Sequence, residues 1–388
     1  MKIKKAYKFR LKPTQQQESL LNDFAGQTRF IWNKALSLNL SRLKNKQRIL
    51  YYQELDFWSK LWKQSEEYGF LRQCPAHLLQ QKLRDLDRAF KEAFDPQQPN
   101  KRIPRFKKRH QDDSFRFPAP EQIKQEDHHV TFPKLGRVRF YRSREIVGDI
   151  KNYTVSRRGT HWYMAIQVEI EIELKNQPKL MTSIGLDMGI THFVTTSDGE
   201  HIAPLNSFRK LSNRLAIQQR RLSRKQKFSQ NWRKTKNRVN RVHQKIADTR
   251  RDFQHKLSTK ISKNHAMIVV EALKIRNMTK SASGTVDTPG KGVSAKSGLN
   301  KSILDQGWYE FKRQLMYKSE WCGGILLEVP AQYTSQRCSH CQHVDAGNRQ
   351  TQEKFVCLLC HKEQNADVNA AKNILAAGHA VLACGASA

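Results

Sequence analysis

The sequence predicts a multidomain protein, an α/β domain joined to a small β-barrel that carries a helical insert. Three observations lead there. At 388 residues the chain is too long for one small domain. Its texture changes twice, near Pro96 and again near residue 180. Each stretch has its own periodicity: strand-like over 2–12, helical over 14–95, short proline-punctuated strands after that, and mixed beyond 180.

In the first stretch Tyr7, Phe9 and Leu11 alternate with Lys8, Arg10 and Lys12, a half-buried strand with a basic outer face that Pro13 ends. Thr14 and Gln17 have capping-box spacing, and Leu20, Leu21, Phe24, Thr28, Ile31, Trp32 and Ala35 then repeat at helical intervals. Pro75, at a tolerated first position, opens a further helix to Phe94 with Leu79, Leu83, Leu86 and Phe90 as its stripe. Trp32, Trp58 and Trp62 sit at spacings typical of core. Pro99, Pro104, Pro118, Pro120 and Pro133 then separate short strands. Val138 and Phe140 alternate with Arg137, Arg139 and Arg142, and a hairpin is expected around Arg157, Arg158 and Gly159. The simplest architecture is a barrel that begins with strand 2–12, resumes near 115, and holds the helical block between. Two consecutive domains are the alternative.

Beyond 180, Ser183–Asp187 and Phe193–Thr196 read as a strand pair. Residues 208–263 hold 19 Lys plus Arg against 2 acids. Leu211, Leu215 and Leu222, then Val239, Val242, Ile246, Phe253, Leu257 and Ile261, supply an apolar stripe for two helices broken near Ser229–Asn231. A merely solvated face mixes both charge signs, so a phosphate-binding face is expected, with Arg220, Arg221, Arg224, Lys225, Arg233, Lys234, Arg238 and Arg241, together with Lys8 and Arg10, as candidate nucleic-acid contacts. His265–Val270 is an apolar run ending at Glu271. Residues 279–302 read as a flexible loop, Phe311–Trp321 as helix, Gly324–Val329 as a buried strand, and 367–377 as a last helix stopped by Gly378.

Bulk charge points the same way. The chain has 70 Lys plus Arg against 35 Asp plus Glu, a net +35. That excess repels itself in a folded protein unless a polyanion is bound, and nucleic acid is the leading partner. An anionic membrane surface is second. No apolar run approaches the ~20 residues of a spanning helix, and the basic start, Met1–Leu11, lacks a signal-peptide core. A soluble, cytoplasmic protein is expected. Of seven cysteines, Cys74, Cys322 and Cys384 are scattered, and four form Cys338-x2-Cys341-x15-Cys357-x2-Cys360. Two such knuckles let four thiolates close a tetrahedron on one structural Zn²⁺; His340, His343 and His361 are less favoured substitutes.

Three acids complete the pattern. Asp187 ends the run Ile184-Gly185-Leu186 before Met188-Gly189, Glu271 ends Val269-Val270, and Asp367 lies in a first helical turn within Asn365–Ala371. Each is a weak signal alone, since turns and helix starts often carry acids. Together they are stronger. Gathering three carboxylates is unfavourable without a cation, and Mg²⁺ favours oxygen ligands and phosphate. Two Mg²⁺ can clamp both the attacking and leaving oxygens of a phosphodiester. The order hairpin with Asp, strand with Glu, helix with Asp is what an RNase H-type sheet requires.

The chain resembles the TnpB (OrfB) proteins of bacterial insertion sequences, relatives of the type V CRISPR nucleases. The resemblance rests on Ile184–Gly189, Val270-Glu271, Gln306-Gly307-Trp308 with Phe311, Tyr333-Thr334-Ser335-Gln336, and above all the four-cysteine block with Ala366-Asp367-Val368-Asn369-Ala370-Ala371-Lys372-Asn373-Ile374-Leu375. Tyr7–Pro13 and Phe30-Ile31-Trp32-Asn33 match the family's opening. It implies an RNA-guided DNA endonuclease with a RuvC-like nuclease domain (176–331 and 363–388), an inserted zinc ribbon (332–362), a wedge-like β-barrel (1–13 and 105–175) and a helical recognition domain (14–104). It implies that Asp187, Glu271 and Asp367 are catalytic and bind Mg²⁺, and that the partners are a guide RNA from the element's end and double-stranded target DNA beside a short adjacent motif. A monomer is expected over a dimer. Many members have an acid two positions before the third Asp, where this chain has Asn365, which argues against a fourth acidic ligand. Three alternatives remain: an RNA-guided DNA-binding regulator without catalysis, an unguided RuvC-like nuclease, and a transposase joining DNA ends.

Overall fold

The computed structural model describes residues 2–109, 111, 113–171 and 182–385. They form two compact units, Met1–Ile172 and Glu173–Ala388. The boundary expected at 175–176 lies outside the described residues.

In the first unit β1 (Lys2–Lys12) buries Ile3, Tyr7, Phe9 and Leu11 and turns Lys2, Lys4, Lys8, Arg10 and Lys12 outward. Helix α1 (Gln15–Lys44) starts on a complete capping box: Thr14 Oγ1 accepts from Gln17 N at 3.3 Å, and Gln17 Oε1 accepts from Thr14 N at 3.0 Å. Helices α2 (Tyr52–Gln64) and α3 (Ala76–Phe94) follow, with Pro75 as the N-cap of α3 and not its first residue. Strands β2 (Ser114–Phe117), β3 (Lys124–Gln125), β4 (His129–Phe132), β5 (Gly136–Phe140), β6 (Asp149–Arg158) and β7 (His161–Glu171) join β1 in one sheet of order β2-β6-β7-β1-β5-β4-β3. The first strand therefore sits in mid-sheet, paired antiparallel to β7 along most of its length and to β5 at Leu11 and Lys12. All three helices lie between β1 and β2 in the chain. The sheet curls, since Phe117 of β2 stacks on Phe132 of β4 with centroids 4.8 Å apart. One core includes Phe24, Leu83 and Leu86 of the helices and Phe9, Phe115 and Trp162 of the strands. Trp32 and Trp62 are buried, but Trp58 is 40% exposed, contrary to the spacing argument. The buried stripe of α2 is Leu55, Ser59 and Trp62, and Trp58 stands at its edge.

The second unit is built on β8 (Ser183–Asp187), β9 (Val194–Thr196), β10 (His201–Ile202), the long helices α4 (Ser207–Ser223) and α5 (Gln230–Asn264), and β11 (Met267–Glu271). Then come α6 (Ile275–Met278), α7 (Val293–Gln306), α8 (Trp308–Trp321), β12 (Ile325–Val329), the ribbon strands β13 (Lys354–Val356) and β14 (Glu363–Asn365), and α9 (Ala366–Ala383). The main sheet has the order β10-β9-β8-β11-β12, with β11 parallel to both β8 and β12. Every residue of β11 is buried because both faces of the sheet are covered. Ile184, Leu186, Ile268 and Val270 pack with Leu257, Ile261 and Phe311 on one face. Met267, Val269 and Leu327 pack with Ile374 on the other. Among the described residues no helix is long and apolar enough to cross a membrane.

Three further expectations need correction. The stretch 279–302 is not all loop, because α7 begins at Val293. Its Ser- and Gly-rich first turns bury nothing, so they carry no helical periodicity; Ile303, Asp305 and Gln306 anchor its far end. Strand β12 is an edge strand that buries Leu327 and Val329 while Ile325 and Glu328 are exposed. Gly378 does not stop α9, which runs on to Ala383. It lets the helix approach β11, since a Cβ there would overlap the side chain of Val269. In an open helix interior Gly→Ala stabilises by about 1 kcal/mol. Gly378→Ala is instead expected to destabilise the protein by about 1–3 kcal/mol through overpacking. A lowered thermal midpoint in scanning fluorimetry checks the sign, and a raised one contradicts the close contact.

Candidate functional site

The site begins with strand register. In the parallel pair Leu186 lies opposite Val270, so the next residues, Asp187 and Glu271, end adjacent strands at one end of the sheet. Helix α9 closes on β8 where Gly185 leaves room: a Cβ there would overlap the Ala371 carbonyl oxygen and crowd Leu375. That contact brings the first turn of α9, with Asp367, to the same end. Asn365 is the N-cap, its Oδ1 accepting from Asp367 N at 3.0 Å and Val368 N at 3.2 Å. Asn365, where the family resemblance led an acid to be considered, thus serves here as a cap.

Burial pushes the Asp187 carboxyl up to about 7; the charges of Glu271 and Asp367 add to this and Arg349 opposes it. Glu271, 8% exposed, is also raised by burial, against a hydrogen bond from Thr334. Thr334 Oγ1 donates to Glu271 Oε1 at 2.6 Å. Asp367 Oδ1 accepts from Arg349 Nη2 at 3.1 Å, and His192 Nδ1 lies 3.6 Å from its Oδ2. Sequence reasoning did not single out these three neighbours. Thr334 lies inside a motif that carried the family resemblance, so a signal existed. Arg349 and His192 stand in no pattern that marks them.

Among the described residues the cluster of Cys338, Cys341, Cys357 and Cys360 is the group of potential ligands close enough to hold a metal ion as it stands, with all four sulfurs within 4.8 Å of one another. Cys338 Sγ is 3.7 Å from Cys360 Sγ, and Cys341 Sγ is 3.5 Å from Cys357 Sγ. A disulfide needs ~2 Å, whereas four thiolates bound at ~2.3 Å to a tetrahedral zinc stand a little under 4 Å apart. The donor set fits zinc, and none of the three nearby histidines belongs to it. Each knuckle turns through a left-handed residue just after its second cysteine, Gln342 at φ 65° and His361 at φ 56°. The ribbon is fastened to α9: Asn369 Nδ2 donates to Arg337 O at 2.8 Å, and Asn373 Nδ2 donates to Thr334 O at 2.9 Å. The carboxylates are not drawn together as closely as the thiols.

The proposed nucleic-acid contacts divide between the two units. On β1, Lys8 Nζ lies 4.7 Å from the Tyr163 ring centroid, and Arg10 Nη2 is 3.1 Å from His161 Nδ1. Arg220, Arg221, Arg224, Arg233, Lys234, Arg238 and Arg241 are exposed and Lys225 half-buried on a hairpin of α4 and α5. Leu215, Val239, Val242 and Ile246 join its two helices, and Asp305 of α7 anchors its base by accepting from Ser207 Oγ at 3.1 Å and Phe208 N at 3.0 Å.

Three family models match this chain: OrfB_IS605, described as "Probable transposase", over residues 165–282; the Cas12f1-like TNB domain over 308–374; and a helix-turn-helix domain over 1–48. In this structure the last range holds a strand and one long helix. The protein named "Putative RNA-guided DNA endonuclease InsQ" from Escherichia coli (strain K12) is 49% identical over 385 residues, covering 99% of this chain and 95% of that protein. The chain belongs to the TnpB (OrfB_IS605) family. A second relative, named as an RNA-guided DNA endonuclease with the same qualifier, from Streptomyces pristinaespiralis, is 33% identical over 99% of this chain and 91% of its own. "CRISPR-associated endodeoxyribonuclease Cas12f1" of Sulfoacidibacillus thermotolerans is 46% identical over 71 residues, 18% of this chain and 17% of its own.

Two measurements test this description. The purified protein is expected to hold about one zinc per chain by elemental analysis, as a four-thiolate site requires, and Cys338→Ser is expected to lose it; retained zinc in that variant contradicts the ligand set. The second concerns charge. The Asp187 carboxyl holds its proton more tightly in the folded state, so its contribution to stability is complete below pH 3.8 and is lost as pH rises to about 7. Without added divalent cation, the urea midpoint of the wild type is expected to fall relative to Asp187→Asn across that window. Parallel curves mean that the carboxyl titrates normally.

Proposed function

We propose that this chain is an RNA-guided DNA endonuclease encoded by a transposable element, and that Asp187, Glu271 and Asp367 form its catalytic centre. The observation that carries the reading is the gathering of three carboxylates, from β8, β11 and α9, at one end of a sheet buried on both faces. The near full-length identity to a protein named as such an enzyme supports it.

Carboxylate oxygens suit Mg²⁺, and Asp187, Glu271 and Asp367 would hold it. Bound Mg²⁺ supplies the positive charge that lets the acids ionise together and polarises a phosphodiester for attack by water. The chain's own residues prepare the site. Thr334 fixes one Glu271 oxygen through its hydroxyl. Arg349 holds Asp367 and presents a guanidinium, whose forked donors match phosphate oxygens. Asp187, with its carboxyl near 7, gives up a proton close to neutral pH when the site is loaded.

The curled sheet of the first unit is read as the wedge barrel (1–13 and 105–175), with 14–104 as the recognition block. Residues 176–331 and 363–388 are read as the RuvC-like domain and 332–362 as its zinc ribbon. The partners are a guide RNA and double-stranded DNA next to a short motif, bound by a monomer. A regulator without catalysis has no use for the triad, and an unguided nuclease has none for the first 175 residues. A transposase remains the alternative that the triad itself allows.

The test is to express the chain with its flanking element DNA, sequence the RNA that co-purifies, and assay Mg²⁺-dependent cleavage of a matching duplex. Guided cleavage that Asp187→Ala abolishes is expected; absence of RNA, or cleavage untouched by that change, overturns the reading. Thr334→Val, which leaves Glu271 without its hydroxyl partner, is expected to slow cleavage about 10- to 100-fold.

A further inference from the structure

The basic hairpin ends in an aromatic pair. Phe228 lies in the turn between α4 and α5 and is 72% exposed. Its backbone is left-handed, φ 69°, a region that a bulky side chain enters only at a cost. Its ring packs against Trp232 in the first turn of α5, with centroids 5.6 Å apart and planes at 51°. One turn on, Lys236 Nζ lies 4.8 Å from the Trp232 ring centroid. Ser229 caps the helix beneath them, its Oγ accepting from Trp232 N at 3.1 Å. The rings therefore stand on an ordered helix start. Neither belongs to the cluster that joins the two helices, so core packing does not explain them.

The surroundings favour a polyanion. From residue 208 to 247 the chain has no acid. Among the described residues no carboxylate pairs with Arg224, Lys225, Lys227 or Arg233, which flank the tip. Helix α5 is 35 residues long, so the tip lies about 50 Å along it from the end that leads into β11.

We propose that Phe228 and Trp232 form a stacking site for an unpaired base of the bound RNA, with the flanking Lys and Arg side chains holding its phosphates. This rests on the RNA-guided reading above. A paired strand keeps its bases inside the duplex, whereas folded RNA offers bases splayed out in loops and bulges. Every base has a π-face, so the site is sequence-tolerant. The cations supply the salt-dependent part of binding and the rings the part that does not respond to salt.

The test uses the full chain, stripped of co-purifying nucleic acid at high salt. Its affinity is measured for a single-stranded RNA, a duplex RNA and a single-stranded DNA of the same mixed sequence. Phe228→Ala and Trp232→Ala are each expected to weaken single-stranded RNA binding about 5- to 150-fold, the range of one lost base–aromatic stack. The salt slope and duplex binding should stay unchanged, the loss on RNA should be at least as large as on DNA, and Phe228→Tyr should restore affinity. Unchanged RNA affinity, an equal loss on the duplex, or a larger loss on DNA overturns the proposal, the last in favour of a displaced DNA strand. If the wild type binds RNA and cuts under guidance while Phe228→Ala binds RNA equally well, the stacking site alone fails. If the wild type binds no RNA, the functional reading fails with it.

Discussion

Strands β8 and β11 run parallel and in register inside a sheet covered on both faces, and this places two carboxylates side by side where water is scarce. Much of the second unit can be understood from that arrangement. From Ile184 and from Met267 each strand has no polar side chain until its last residue, so the acids appear only where the sheet ends. Burial and like charge raise Asp187, and a protein that keeps such an arrangement gives up stability unless a cation joins it. Neutralisation is partial: Arg349 pairs with Asp367, while Thr334 offers Glu271 a neutral donor.

The third acid reaches the site through absent side chains. Gly185 on β8 and Gly378 on α9 lie at two close approaches of helix and sheet, and a Cβ at either meets its neighbour. The same helix carries the ribbon on its polar edge, where Asn369 and Asn373 bind the carbonyls of Arg337 and Thr334. Thr334 in turn binds Glu271. The cysteine cluster, α9 and Glu271 thus belong to one chain of contacts, so that a zinc held by the four thiols would help to order Glu271 as well.

Charge is distributed in the opposite sense. The hairpin of α4 and α5 concentrates cations with little internal compensation, and its helices meet through only a short apolar seam. At its base Asp305 receives the first amides of α4 and lies 3.7 Å from Arg250. Gly307, at φ 70°, allows α8 to turn away directly after α7. Gln254 Nε2 donates to the carbonyls of Gln306 and Gly307 at 2.8 and 3.0 Å, so the Gln306-Gly307-Trp308 motif joins α5, α7 and α8. A polyanion laid along the hairpin would relieve the repulsion that the fold tolerates.

Local chemistry was legible in the sequence. Alternation set the faces of β1, the Thr14 capping box set the start of α1, and the break at Ser229 separated α4 from α5, because each depends on residues within one turn or one strand. The cysteine spacing was equally local, and the sulfurs do cluster. The sequence also contained Asp187, Glu271 and Asp367 as ends of apolar runs and a helix start. Only the tertiary structure decided which residues stand beside them. Arg349 and Thr334 reach the site through hydrogen bonds spanning 18 and 63 positions, and no periodicity encodes such separations. Gly378 was misread as a stop because a glycine needed for close packing and one needed for a left-handed turn look alike until the neighbour is known. Helix α7 was missed because its first turns bury nothing and it is anchored at its far end. The sequence by itself determined the local elements that hold the cysteines and the three acids; long-range packing decided how those elements meet, because contact between distant residues depends on the whole fold.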